Sequence, residues 1–321
     1  MPEKLIVSVS PHIISEETVP KVMYGVILAL VPAVIASLYF FGVQAIWLIV
    51  TCILTALLTE FIFQRLRRKS VTVTDGSAVI TGLLLALILP PSFPLWAAVL
   101  GAVVAIALGK QIFGGLGHNI FNPALIGRAF LAATFPVLMT TWRSPFDAVT
   151  TATPLAMMKF EGVKTPYLEL FLGSTAGSLG ETSSLALLVG AGYLLFKGYI
   201  DWRIPASFLS TVAVFGGTFW IINPGEYPNP LFHLLAGGLM LGALFMATDP
   251  VTTPVTKRGR WVFGLGAGVL VIIIRLWGGL PEGVMYSILL MNGLTPLINK
   301  YTLPRRFGET RISRKFKVEE G

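Results

Sequence analysis

Apolar residues dominate this chain in long runs, and polar residues are confined to the stretches between them. The runs fall at 22–41, 43–63, 78–93, 94–110, 119–140, 183–199, 204–222, 230–247, 260–278 and 283–299. Each approaches the roughly twenty residues that a helix needs to cross a hydrocarbon core. The pattern predicts ten helices, several of them short or carrying Gly and Pro, which neighbouring helices can accommodate in a membrane. The pair covering 78–110 is divided only by "LPPSFPLW" (89–96), which reads as a tight turn or a kink. One polar stretch, 141–182, is far longer than the others, and a connection of that length is uncommon without a function.

The basic residues orient the runs. The connections after the second, fourth, sixth and eighth are "QRLRRKS", "GKQIFGGLGH", "KGYIDWR" and "TPVTKRGR", and the C-terminal tail is also basic. The opposite connections, "PPSFP", "NPGEYPNP" and "GGLPEG", hold no Lys or Arg. The positive-inside rule then places both termini in the cytoplasm and the 141–182 loop outside. That loop divides the chain into five helices plus five. An odd number per half forces the halves into opposite orientations, which is the arithmetic of an inverted repeat. The expected organisation is a cytoplasmic segment 1–21, a membrane half 22–140, the external loop 141–182, a second half 183–299 and a basic tail 300–321. "NPALIGR" and "NGLTPLINK" share an Asn, a Pro and a basic end, so the fifth and tenth helices are the candidates for broken helices.

Composition narrows the function classes. Of 321 residues, 54% are hydrophobic and 12% charged. A soluble domain carries about 25% charged residues, so this chain cannot cover a water-facing surface and reads as an all-α polytopic membrane protein. The net charge of +8 is scattered between apolar spans and does not imply nucleic acid. Cys52 is the single cysteine, which excludes a disulfide framework and a cysteine-ligated iron–sulfur cluster built from this chain alone. His12, His118 and His233 show no metal-ligand spacing. The N-terminus lacks the pattern of a cleavable signal.

Few residues remain to carry chemistry. The loop holds "DAVTTATPL", with Asp147, Thr150, Thr151 and Thr153 within seven residues. Composition alone allows a solvated turn there. Asp75 and Asp249 stand in Thr-Asp-Gly and Thr-Asp-Pro sequences, which suit turns or caps, or a polar entry to a cofactor or ion path. Arg128 lies toward the cytoplasmic part of helix five and Arg275 toward the outer end of helix nine. Arginine at membrane depth either faces protein or snorkels. Glu60 is expected to pair with "RLRR" one turn on. "GGLGHN" lacks the glycine spacing of a dinucleotide site. Trp and Tyr near the run ends read as an aromatic belt.

The loop sequence resembles the flavinylation motif Asp-x-x-Ser/Thr-Gly-Ala-Thr, in which the last Thr is esterified to the phosphate of FMN. Position by position, the likeness maps Asp147, Thr150, Ala152 and the acceptor Thr153. Thr151 stands where Gly is usual, a departure that a left-handed backbone would not tolerate. "SPH" (10–12), "TDGSAVITGLLLALILPPSFPLW" (74–96), "GKQIFGGLGHNIFNPALIGRAF" (109–130) and "ATDP" (247–250) extend the resemblance over nearly the whole chain. They are similar to the family of Rnf-complex D subunits and sodium-pumping NADH:quinone reductase B subunits.

The resemblance implies a urea-transporter-like fold and a bacterial or archaeal cytoplasmic membrane. It also implies FMN held covalently on Thr153 and a second, non-covalent flavin of the riboflavin type, for which His118, Asn119 and Asn122 are candidates. The implied partners are the other Rnf-type subunits (membrane, iron–sulfur and a second FMN carrier), a flavin transferase and membrane lipid. The expected function is a non-autonomous redox subunit coupling ferredoxin:NAD electron transfer to Na+ or H+ movement. A small-solute channel or permease is the alternative from another class, and the Thr acceptor argues against it. For the FMN phosphate, Arg275 is favoured as partner over Arg143.

Overall fold

The computed structural model describes residues 17–146, 149–181 and 183–304. The chain is mostly helical. The first part contains α1 (Val19–Phe41), α2 (Val43–Leu66), α3 (Ser77–Leu87), α4 (Leu95–Ile106, prolonged by a π-helical turn through Gln111), α5 (Pro123–Thr134) and α6 (Pro136–Thr140). The loop carries a two-residue hairpin, β1 (Trp142–Arg143) and β2 (Thr150–Thr151), then the short helices α7 (Pro154–Ala156) and α8 (Tyr167–Leu172). After it come α9 (Ser184–Lys197), α10 (Arg203–Ile222), α11 (Pro230–Leu235), α12 (Leu239–Leu241, continued as a π turn to Met246), α13 (Lys257–Trp277) and α14 (Val284–Thr302).

Four of these, α1, α2, α10 and α13, are long and apolar enough to cross a membrane, while α3, α4, α5 and α9 are apolar but shorter. Large apolar side chains on the long helices point away from the protein: Leu28, Ile35, Leu54 and Leu58 are all more than half exposed. In lipid this exposure carries no penalty, because no aqueous surface is involved.

Small residues set the helix crossings. Lipid offers no hydrophobic drive for helix association, so close backbone approach and van der Waals contact must supply it. A Cβ on Gly82 of α3 would lie 2.7 Å from the Cys52 carbonyl oxygen of α2, and one on Gly268 of α13 would lie 2.6 Å from Thr211 Cβ of α10. α3 is buried along most of its length and forms the middle of the first half.

The breaks lie elsewhere than the Asn-Pro and Thr-Pro pairs suggest. The tenth predicted helix is continuous through Pro296. The fifth begins at Pro123 and is interrupted at Phe135. The larger interruptions follow α3 and α11. After Leu87 the chain runs irregularly to Pro94, and the carbonyls of Leu87 and Leu89 accept the amides of Gly180 (2.7 Å) and Leu179 (3.1 Å) from the long loop. A side chain on Gly180 would collide with Leu87, so this pairing needs glycine. α11 stops at Leu235, and Gly237 (φ +69°) turns the chain into α12.

Glu60 does not pair with "RLRR". It is buried, and both its oxygens accept from Lys110 Nζ of the π turn (2.7 and 2.8 Å). Gln64, Gln111 and Ser77 complete the network. The π turn brings Lys110 inward where a regular helix would turn it by a further fraction of a turn. Removing one partner of a buried pair leaves an uncompensated charge and costs about 3–5 kcal/mol. Lys110→Met should therefore lower the thermal midpoint in detergent markedly, and the Glu60→Gln/Lys110→Met double variant should recover most of the loss. A double variant no better than Lys110→Met would show that the pair does not carry the stability.

Candidate functional site

The loop is built so that Thr153 faces inward. β1 and β2 pair antiparallel, Trp142 opposite Thr151 and Arg143 opposite Thr150. Phe146 near the hairpin tip packs edge-on against Tyr39 and Phe40 at the end of α1, with ring centroids 5.5 and 5.6 Å away. Asp147, one of the expected motif residues, lies outside the described residues. Thr150 and Thr151 are exposed strand residues. Thr151 keeps a negative φ, so the Gly-to-Thr departure brings no backbone strain. Ala152 is also exposed, and the chain then turns in: Thr153 is only 3% exposed. Its Oγ1 accepts the Ala156 amide (3.2 Å) and caps α7, whose first residue is Pro154.

Two contacts hold the segment after Thr153. Leu155 and Met158 pack with Leu170 of α8 and with Phe232 and Ala236 at α11. Lys159 Nζ donates to the carbonyls of Ile274 (3.3 Å), Gly278 (2.5 Å) and Leu280 (3.1 Å), where α13 ends. Burial pushes the Lys159 ammonium below its ordinary pKa.

Thr153 lines a cleft with about 770 Å³ of atom-free space. Trp142, Arg128, Glu181 and Glu282 line it too. Arg128 of α5 spreads its guanidinium between two carboxylates, Nη1 to Glu181 (3.1 Å) and Nη2 to Glu282 (2.8 Å). Glu181 Oε2 and Glu282 Oε1 are buried without a hydrogen-bond partner among the described residues. Burial first, and then the Glu181 charge, push the Glu282 carboxyl well above the usual carboxylate range. Arg128 thus serves the end that carries the loop, not the opposite end expected from its place early in helix five.

Arg275, favoured from the sequence over Arg143 as a phosphate partner, stands in different surroundings from Arg128. Arg275 is buried and donates to the carbonyls of His233 (2.5 Å) and Ala236 (2.9 Å), where α11 breaks off. It satisfies backbone groups that the break frees, and it does not line the Thr153 cleft. Arg143 reaches Gln44 (3.4 Å) at the start of α2.

A second cavity opens between α1, α3 and the residues after α12. Asn119 and Asn122 line it together with Lys110, Ser77 and Asp249. Asn122 caps α5 by accepting from Ala124 and Leu125, and its Nδ2 donates to Met246 (3.3 Å). Asn119 Oδ1 is buried with no partner among the described residues, an acceptor facing unfilled space. His118 is exposed and does not line this cavity. Asp75 accepts the Ser77 amide (2.8 Å), and Asp249 accepts from Val251 and Thr252, so both hold turns.

Sequence reasoning missed the two carboxylates that meet Arg128 and the role of Lys159. Glu181 and Lys159 pass there for ordinary loop charges. The usable signal was charge bookkeeping at membrane depth: an arginine within an apolar run requires a counter-charge, and "GGLPEG" offers an isolated Glu.

The chain is similar to known proteins over most of its length. Residues 6–308 match the NQR2, RnfD, RnfE family. The D subunit of the proton-translocating ferredoxin:NAD(+) oxidoreductase complex of Clostridium ljungdahlii is 48% identical over 95% of this chain and 96% of its own length. The D subunit of the Na(+)-translocating ferredoxin:NAD(+) oxidoreductase complex of Acetobacterium woodii is 47% identical over 98% of each chain. The D subunit of the ion-translocating oxidoreductase complex of Stutzerimonas stutzeri is 40% identical over 91% of this chain and 92% of its own. A match over residues 6–308, with relatives 40–48% identical across more than nine-tenths of the chain, means that the chain belongs to the NQR2, RnfD, RnfE family.

Proposed function

We propose that this chain is a flavin-carrying membrane subunit of an ion-translocating ferredoxin:NAD oxidoreductase complex, working with the other subunits of that complex. The observation that carries the reading is the inward-facing Thr153 hydroxyl at a cleft lined by Arg128, Glu181 and Glu282, in a chain alike over its full length to subunits of such complexes. The first two relatives named above translocate different ions, so overall identity favours neither Na+ nor H+ here.

The residues present fit an FMN esterified to Thr153. Thr153 lines the cleft, and Arg128, Glu181 and Glu282 line it too. When bound, FMN would supply the electron transfer, since the phosphoester leaves its ring chemically untouched. The chain contributes position. Lys159 and the Leu155 cluster hold the segment after Thr153 against α11 and α13, and Trp142 forms one wall. A phosphoester retains a negative charge, which needs a cation or donors nearby. Arg128 is the arginine that lines the cleft, but Glu181 and Glu282 already share its charge, so it meets the phosphate only with one of those carboxyls protonated, which burial favours at Glu282. For a second flavin of the riboflavin type, Asn119 is the supported residue, through its free acceptor, and Asn122 lines the same cavity.

The ten-helix, five-plus-five inverted arrangement is part of the same proposal. A two-fold axis relating the halves pairs α1 with α9 and α5 with α14, and both pairs are in contact. It also matches the packing of α2 on α4 with that of α10 on α13, and of α4 on α5 with that of α13 on α14. A solute permease could share such a frame, but it has no use for a clamped external threonine.

Co-expressed with its flavin transferase, the chain should show in-gel flavin fluorescence under denaturing conditions, and Thr153→Ala should abolish it while the protein still inserts. Fluorescence that survives the substitution would remove Thr153 as the acceptor. Sidedness is tested in a Cys52→Ala background. Ser174→Cys, exposed in the long loop, should react with a membrane-impermeant thiol reagent added outside, and Val255→Cys, exposed before α13, should not. The reverse labelling pattern would place the loop in the cytoplasm.

A further inference from the structure

α10 and α13 pack side by side, and both begin near Asp201. Neither first turn holds an acidic residue, while Arg203 stands in one and Lys257, Arg258 and Arg260 in the other. Cations at a helix N-terminus are disfavoured by the peptide dipoles, so this grouping calls for anions. The nearby anion is Asp201. It accepts from the Arg203 amide (2.9 Å), from Arg203 Nη1 (2.8 Å) and from Arg260 Nη1. Its carboxyl feels desolvation most, which pushes it up, but these hydrogen bonds together hold it below the usual carboxylate range.

One carboxylate between two guanidiniums leaves one positive charge over. The Nη2 groups of Arg203 and Arg260 have no partner among the described residues, and both side chains remain partly exposed. Beside Arg260 and Asp201 lies an open pocket with about 1100 Å³ of atom-free space and an apolar side formed by Leu195, Ile200 and Ile204. Trp202 and Trp261 stand edge-to-face next to it, ring centroids 5.7 Å apart and each roughly half exposed. Paired, half-exposed indoles of this kind belong at the headgroup level of a bilayer.

We propose that this pocket binds the phosphodiester headgroup of an anionic glycerophospholipid, held by Arg260 and drawn by the net positive charge of the Arg203–Asp201–Arg260 cluster beside it. A phosphodiester carries one negative charge and balances the one left over. Its oxygens accept from the Arg260 guanidinium, whose Nη2 is unpartnered among the described residues, and Asp201, which also lines the pocket, offsets one of the two positive charges. The apolar side gives an acyl chain a path along α9 and α10. Exposed Lys257 and Arg258 select against a zwitterionic headgroup, whose own cation would face them.

The test is lipid retention by the delipidated full chain in detergent, read by native mass spectrometry with phosphatidylglycerol and phosphatidylcholine of identical acyl chains. The chain should retain phosphatidylglycerol preferentially. Arg203→Gln leaves a neutral Arg260–Asp201 pair and should lower that preference about fivefold, the factor corresponding to one basic residue at a membrane surface. Asp201→Asn frees a second charge and should keep or raise the preference, whereas a merely structural role for the cluster would lower it in both variants. Equal retention of the two lipids, an unchanged preference in Arg203→Gln, or a loss in both variants would overturn the proposal. Displacement of phosphatidylglycerol by millimolar inorganic phosphate would also overturn it, because the site would then be one for free phosphate.

Discussion

Every backbone donor and acceptor that leaves a helix inside a membrane must find a partner within the protein. The rest of this structure depends on how that is met at two places. Where α3 ends, the carbonyls of Leu87 and Leu89 take amides from Leu179 and Gly180, so the last turn of the long loop is bound into the protein interior. Where α11 ends, the carbonyls of His233 and Ala236 take the Arg275 guanidinium. Both repairs lie close to Thr153. The first brings Glu181 to the cleft, and the second anchors the ground on which Leu155 packs. The loop that carries the candidate attachment residue is therefore attached by the very interactions that let the helices break.

Buried charge is the second constraint, and it is handled by sharing. Lys110 meets both oxygens of Glu60, and Arg128 divides its fork between Glu181 and Glu282. The two clusters differ in what they leave unused. Around Glu60 the glutamine and serine side chains take up the remaining capacity, which suits a structural tie. Around Arg128 two carboxylate oxygens stay buried without partners among the described residues.

The cleft and the Asn119 cavity sit on different sides of α3 and α5, and neither is enclosed by one element. Each has walls from both halves: Arg128 with Glu282 at the first, Asn122 with Asp249 at the second. Irregular backbone at membrane depth is tolerated where it is buried in protein or lines a cavity.

The sequence by itself determined that the chain is a helical membrane protein, which of its stretches are apolar and which threonine stands at the end of the loop motif. These are local properties. Runs of apolar residues, the Lys and Arg between them and a contiguous motif are all visible without knowing what touches what. Only tertiary structure decided the partners. Arg128 and Glu282 are 154 residues apart and Lys110 and Glu60 fifty, so no spacing rule could join them. The same holds for the different surroundings of Arg128 and Arg275. Both look alike in sequence as isolated charges in apolar runs. Which one meets carboxylates and which one repairs a broken helix follows from where α11 stops, and that depends on Gly237 turning the chain beneath Leu155. The breaks were misplaced for a related reason: a proline inside a helix is absorbed when its neighbours cover the freed carbonyl, as at Pro296, and coverage is a property of the packing rather than of the residue.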